Sequence, residues 1–141
     1  FGVSDHASLE RYLATVFHNR DARPWVPWPA ADIYIAQRRR DAAFEQGVLD
    51  RIGRGDERFL PGAEAANISQ PALLLWCRED KVIDASAMTL YAARIPQASQ
   101  VLLEGCGHMS LMERPGETAE AVAMLIERGA PGAAPPTGDT Q

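Results

Sequence analysis

Two short stretches decide how this chain is read. They are Trp76-Cys77-Arg78-Glu79-Asp80, closing the apolar run Ala72–Trp76, and Gly105-Cys106-Gly107-His108, following the apolar run Val101–Leu103. Short apolar runs bounded by turn residues, with an amphipathic stretch between them, read as strand–helix–strand. Short links in that order imply a parallel pair with a right-handed crossover. The loops leaving the two strands then lie at one end of the sheet, so Asp80 and His108 are expected side by side. Those are the acid and the base of a nucleophile–His–acid triad, with the acid first in the chain. The third member is missing, because no Gly-x-Ser-x-Gly turn occurs in the 141 residues.

Outward from this pair, the chain divides into three zones. Residues 67–128 carry the α/β pattern. Pro71 precedes a strand over Ala72–Cys77. Asp84 or Ser86 can cap a helix bearing Met88, Leu90, Tyr91 and Ile95, and a second strand covers Gln100–Leu103. Pro115 suits the start of a last helix with Ala119, Val122, Ala123, Leu125 and Ile126 on its apolar side. Residues 1–66 read as helical. Ser4 or Asp5 can cap a helix with Leu9, Tyr12, Leu13, Val16 and Phe17 on one face. The segment Pro24-Trp25-Val26-Pro27-Trp28-Pro29 cannot be helix interior. A second helix is expected from about Ala30 to Ile52, burying Ile33, Tyr34, Phe44, Val48, Leu49 and Ile52 and stopping at Gly53-x-Gly55. Phe59–Gly62 reads as a turn and Ala63–Ala66 as one helical turn. Residues 129–141, rich in Ala, Gly and Pro, are expected to be a disordered tail.

Composition is that of a soluble globular domain, 46% hydrophobic and 23% charged. A net charge of −5 argues against a nucleic-acid partner. The basic run Arg38-Arg39-Arg40 is one helical turn flanked by Asp41 and Glu45, and reads as a solvated face. No apolar window reaches the length of a membrane span. Two cysteines, Cys77 and Cys106, make no disulfide framework. A bond between them is open to the fold, but buried free thiols are the expectation.

His108, between Gly107 and Met109, can be presented on a sharp loop as a general base and acid; alone it reads more readily as a surface loop histidine, and its pairing with Asp80 favours the functional reading. Asp80 would hold its tautomer. Glu79 and Asp84 are rivals, though Asp84 stands where a helix cap is needed and Glu79 would point elsewhere. His6, His18 and His108 are too scattered for a metal site, so no metal is expected. Phosphate-cradling motifs are absent, and no cofactor is expected. Trp25, Trp28 and Phe17 gather around the proline turn, either as packing between helices or as an apolar substrate mouth. Trp25 and Trp28, with Met109, Leu111 and Met112 just after the His, are the candidate pocket residues.

These strings resemble the C-terminal part of an α/β-hydrolase. The resemblance rests on Pro71–Trp76, Asp80, the run from Val101 to His108, and Met112-Glu113-Arg114-Pro115. The last two strings are similar to those of bacterial lipases and monoacylglycerol lipases. The resemblance is firm over about residues 67–127, whereas residues 1–66 resemble the lid or cap of those lipases less specifically. It implies that the two strands are the last of an eight-stranded sheet, with Asp80 as triad acid and His108 as triad base. The nucleophilic serine and the oxyanion hole would lie before Phe1. One departure is Cys77, where the family usually has Gly.

The leading expectation is therefore a serine hydrolase of lipophilic, acylglycerol-type carboxylic esters. Its partner would be the N-terminal part of the same enzyme, which carries the serine. A C–C bond hydrolase of ring-cleavage products and a non-catalytic module on the same fold are the alternatives. The compartment stays open, since any targeting segment would lie upstream of Phe1.

Overall fold

The computed structural model describes residues 2–129. The expected tail, residues 129–141, lies outside them except for Gly129. Strand β1 covers Leu73–Cys77 and strand β2 Ser99–Leu103. They pair in parallel, from Leu73 opposite Ser99 to Cys77 opposite Leu103. Helix α4, Ser86–Ala92, forms the crossover and packs on β1. Helix α6, Pro115–Gly129, packs on both strands. Leucines and Trp76 suit β1 because both helices cover a sheet that has little solvent-facing polar surface to satisfy.

The helical part opens with α1, His6–Val16. Its start is fixed by a capping box, in which Ser8 N–H donates to Asp5 Oδ1 (2.7 Å) and Asp5 N–H donates to Ser8 Oγ (2.9 Å). Leu9, Leu13 and Val16 form its buried stripe and meet Ala31 and Ile35 of α2, with Val3 and Phe17 completing the cluster. Helix α2 runs Trp28–Gly53, followed by a 3-10 turn and by α3, Leu60–Ala65. Pro29 and Pro61 both sit in first helical turns, where a missing N–H costs nothing. The turn expected over Phe59–Gly62 is therefore already helix from Leu60.

Three expectations are corrected. First, Phe17, expected on the apolar face of α1, lies just past its end: the helix stops at Val16, Phe17 turns extended, and a 3-10 turn over Arg20–Ala22 follows.

Second, the buried side of α2 is Ala31 and Ile35, while Ile33 and Phe44 are 71% and 75% exposed. An 11-residue helix rises about 16 Å and a 26-residue helix about 39 Å, so α1 can cover only part of α2. Arg38 continues the covered stripe. Its guanidinium pairs with Glu45 at 2.5 Å and lies 6.0 Å from the Tyr12 ring, so it is not simply solvated.

Third, Cys77 and Cys106 are not free thiols but a disulfide, with Cα atoms 5.3 Å apart. Gly105 explains it. Its φ of +68° folds the chain back after β2 and returns Cys106 over the end of β1.

Candidate active site

Both loops at the C-terminal ends of the strands converge on one point. Asp80 leaves β1 in a tight turn, with its N–H on the Cys77 carbonyl (3.3 Å). Its Oδ1 accepts from the N–H groups of Val82 (2.7 Å) and Ile83 (3.0 Å). Oδ2 is left facing His108 Nδ1 at 2.9 Å. The carboxylate is 6% exposed and the imidazole 37%. A carboxylate held by two backbone N–H groups cannot rotate freely, so it fixes the ring as well as binding it. With Nδ1 donating to the carboxylate, Nε2 is the basic nitrogen of the neutral ring. His108 and Asp80 line a cleft of about 150 Å³ together with Leu75, Trp76, Cys77, Ile83, Gly107 and Ser110. Trp76 closes one wall by donating its indole N–H to the Ile83 carbonyl (2.9 Å).

The rival acids do other work. Asp84 accepts from Ser86 N–H at 2.9 Å, at the start of α4. Hydrogen bonding to Ser86 holds its carboxyl below the usual carboxylate range. Glu79 turns away from the ring and accepts from the N–H groups of Gly105 (2.9 Å) and Cys106 (3.3 Å). A second His–Asp contact exists in the helical part, His6 Nε2 to Asp32 Oδ1 at 2.8 Å. There Asp32 is 52% exposed and the His6 ring stacks on Trp28, so this pair ties α1 to α2 at the surface.

The sequence reading missed Glu113. It stands at the end of the short helix α5, Ser110–Glu113, and is 9% exposed. One oxygen accepts from Gly107 N–H (2.7 Å) and the other from Asn19 N–H (2.6 Å). A buried carboxylate thus pins the residue before His108 to the chain just beyond α1. Gly107 is required for that approach, since a Cβ there would stand 2.7 Å from His18 N and 3.0 Å from Val16 O. The only signal in the sequence is an acid at the end of an apolar turn, which helical pattern alone does not separate from a surface residue.

The candidate pocket residues sit elsewhere. Trp25 is 84% exposed, and Trp28 is spread over His6. Met109 packs against the α1–α2 cluster, while Leu111 and Met112 point largely to solvent. None of the five lines the cleft beside His108. The loop turns Met109 inward because the apolar cluster under α1 lies there. Leu111 and Met112 then fall on the outer side of the single turn of α5. Among the described residues no group of His, Cys, Asp and Glu is arranged to hold a metal ion. No described helix is long and apolar enough to cross a membrane.

A parallel strand pair thus carries an acid and a histidine in contact on adjacent C-terminal loops, an arrangement open to general acid–base chemistry. A family model described as the α/β-hydrolase fold matches residues 9–115, and the chain belongs to that family. Among its relatives, the monoacylglycerol lipase ABHD6 of Mus musculus is 36% identical over 84 residues, covering 60% of this chain and 25% of that protein. Lipase 1 of Psychrobacter immobilis is 25% identical over 99 residues, covering 69% of this chain and 30% of that one. The chain thus spans about a quarter of the length of the curated relatives it matches. The crystal structure of a membrane phospholipase A, described as a novel bacterial virulence factor, superposes with a TM-score of 0.73 at 27% identity, over 92% of this chain and 41% of that one. A putative lipase from Acinetobacter baumannii AYE superposes with a TM-score of 0.72 at 21% identity, over 89% of this chain and 43% of that one, and shows the fold alone.

Proposed function

We propose that this chain supplies the acid and the base of a serine-type hydrolase acting on lipophilic carboxylic esters of the acylglycerol kind. The observation that carries the reading is the 2.9 Å contact between a buried, doubly anchored Asp80 carboxylate and the Nδ1 of a part-exposed His108. In this reading the nucleophilic serine lies on polypeptide preceding Phe1. His108 Nε2 takes the hydroxyl proton as the oxygen attacks the ester carbonyl, and the ring becomes a cation. Asp80 stabilises that cation without taking its proton. The imidazolium then protonates the departing alcohol. A water activated by the same Nε2 releases the acid from the acyl-enzyme.

Similarity to lipases and to a monoacylglycerol lipase supports the ester class. Residues 2–66 act as the cap over the acyl chain. Their exposed apolar side chains, Trp25, Ile33 and Phe44 among them, support a lipophilic substrate.

The test is turnover of monoacylglycerols and nitrophenyl esters by the enzyme comprising this chain and its N-terminal part. Hydrolysis by that enzyme and none by residues 1–141 alone is the expected pattern. Cleavage of vinylogous diketo acids without ester turnover would favour carbon–carbon bond hydrolysis instead.

A further inference from the structure

We propose that the Cys77–Cys106 disulfide is a positioning brace that holds Asp80 against His108, a role that rests on the hydrolase reading. Cys77 is the last residue of β1, three before Asp80, and Cys106 comes two before His108. The strand ladder ends where Cys77 faces Leu103. Beyond that point the two loops have no sheet to keep them in register. They must nevertheless deliver two side chains to one hydrogen bond.

Besides the Asp80–His108 contact itself, four links cross the gap between these loops, one of them the ion pair of Arg78 Nε with Glu104 Oε1 at 2.6 Å. Arg78 N–H donates to the Leu103 carbonyl at the ladder's edge (2.9 Å). Glu79 gathers the N–H groups of Gly105 and Cys106. The disulfide is the covalent link. Its two residues are 2% and 0% exposed, and Cys77 forms part of the cleft wall. Neither sulfur can swing out to solvent when the bond opens. Two unbonded thiols need more room than a bonded pair, so opening the bond presses the acid loop and the histidine loop apart. Catalytic geometry is sensitive to that movement, since a misplacement of about 1 Å can cost about 100-fold in rate.

The test compares closed and open forms of the enzyme comprising this chain and its N-terminal part. A water-soluble phosphine opens the bond. It gives up two electrons and becomes the phosphine oxide with oxygen from water, while each sulfur gains a proton. Counting alkylated thiols by mass spectrometry establishes the open state. The Cys77→Ala/Cys106→Ala variant removes the covalent tie independently of reductant access and without the crowding of two thiols, and so separates loss of the tie from the push.

Two readouts are taken. The first is the Nδ1 proton of His108 by NMR of histidine-labelled protein. The signal is expected in the closed form, lost in the open form, and restored on reoxidation. The second is kcat for an ester, alone and with Asp80→Asn. Opening is expected to lower kcat about ten-fold in the parent enzyme and less than about two-fold in the Asp80→Asn background, because positioning has no partner left there. An unchanged proton signal in the open form overturns the brace. So does an equal loss of kcat in both backgrounds, which marks a general loss of stability. If the closed enzyme hydrolyses no ester, the hydrolase reading fails, and the proton signal still decides the brace. A variant that does not fold leaves the phosphine-opened protein to decide.

Discussion

Replacing Asp80 with asparagine removes one charge and almost no volume, and the structure dictates which way the amide faces. Oδ1 accepts two backbone N–H groups, from Val82 and Ile83. Turning the NH2 towards them would set donor against donor and forfeit two hydrogen bonds, each worth about 1 kcal/mol, before any penalty for leaving them unmade. The carbonyl oxygen therefore stays with Val82 and Ile83, and the NH2 is directed at His108 Nδ1. An NH2 there demands an acceptor, so the ring moves its proton to Nε2 and loses its basic atom at the cleft. In serine hydrolases the wrong tautomer lowers kcat about 10⁴-fold, which is about 5.4 kcal/mol of transition-state stabilisation. Folding changes far less, by about 1–2 kcal/mol, since the backbone bonds survive and only a charge-assisted one is weakened. The assay is steady-state hydrolysis of a nitrophenyl ester by the enzyme comprising this chain and its N-terminal part, with thermal melting as the control for folding. A kcat within about ten-fold of the parent would refute the tautomer argument, and with it the role of Asp80.

Other consequences are checked by stability. Glu113→Ala strands the N–H groups of Gly107 and Asn19 in a buried site and is expected to cost about 2–5 kcal/mol in urea unfolding, with Glu113→Gln costing less because its oxygen keeps one of them. Gly107→Ala drives a Cβ into the backbone of Val16 and His18 and should lose about 1–3 kcal/mol. Gly47→Ala, in the open interior of α2, should instead gain about 0.5–1 kcal/mol. Asp5 and Asp84 both have carboxyl groups lowered below the ordinary 3.8 by hydrogen bonds, Asp5 chiefly from the Ser8 backbone N–H and Asp84 chiefly from the Ser86 side chain. Their stabilisation is thus complete above the unfolded-state value and fades as pH falls through the lower folded-state value. Asp5→Asn with Asp84→Asn should lower stability at neutral pH, where the parent's carboxylate contribution is complete, and leave it almost unchanged below the carboxylate range, so that the acid limb of the stability curve becomes flatter.

The α/β half was legible because its signals are local and agree with one another. Apolar runs ending in Asp80 and His108 imply a parallel pair, and parallel pairing places both loops at one end. The helical half was harder. On α2 nearly every position carries either an apolar or a long amphipathic side chain, so Ile33 and Phe44 look as burial-prone as Ala31 and Ile35. Which stripe is covered depends on where α1 crosses, and that is not a property of α2. The disulfide was hidden for another reason. It depends on the positive φ of Gly105, which turns Cys106 back by one step after the strand. Glu113 escaped because its partners are backbone N–H groups, one on its own loop and one near the start of the chain, which leave no trace in residue type.

Activity-based labelling tests the central claim, that His108 with Asp80 forms the base of a serine nucleophile. The enzyme comprising this chain and its N-terminal part is treated with a fluorophosphonate, beside its His108→Ala variant, and the modified peptide is sequenced by mass spectrometry. The account predicts one modified serine, outside residues 1–141, and loss of modification when His108 is removed. Modification that proceeds equally well without His108, or that falls on Ser110 of the cleft, would contradict it.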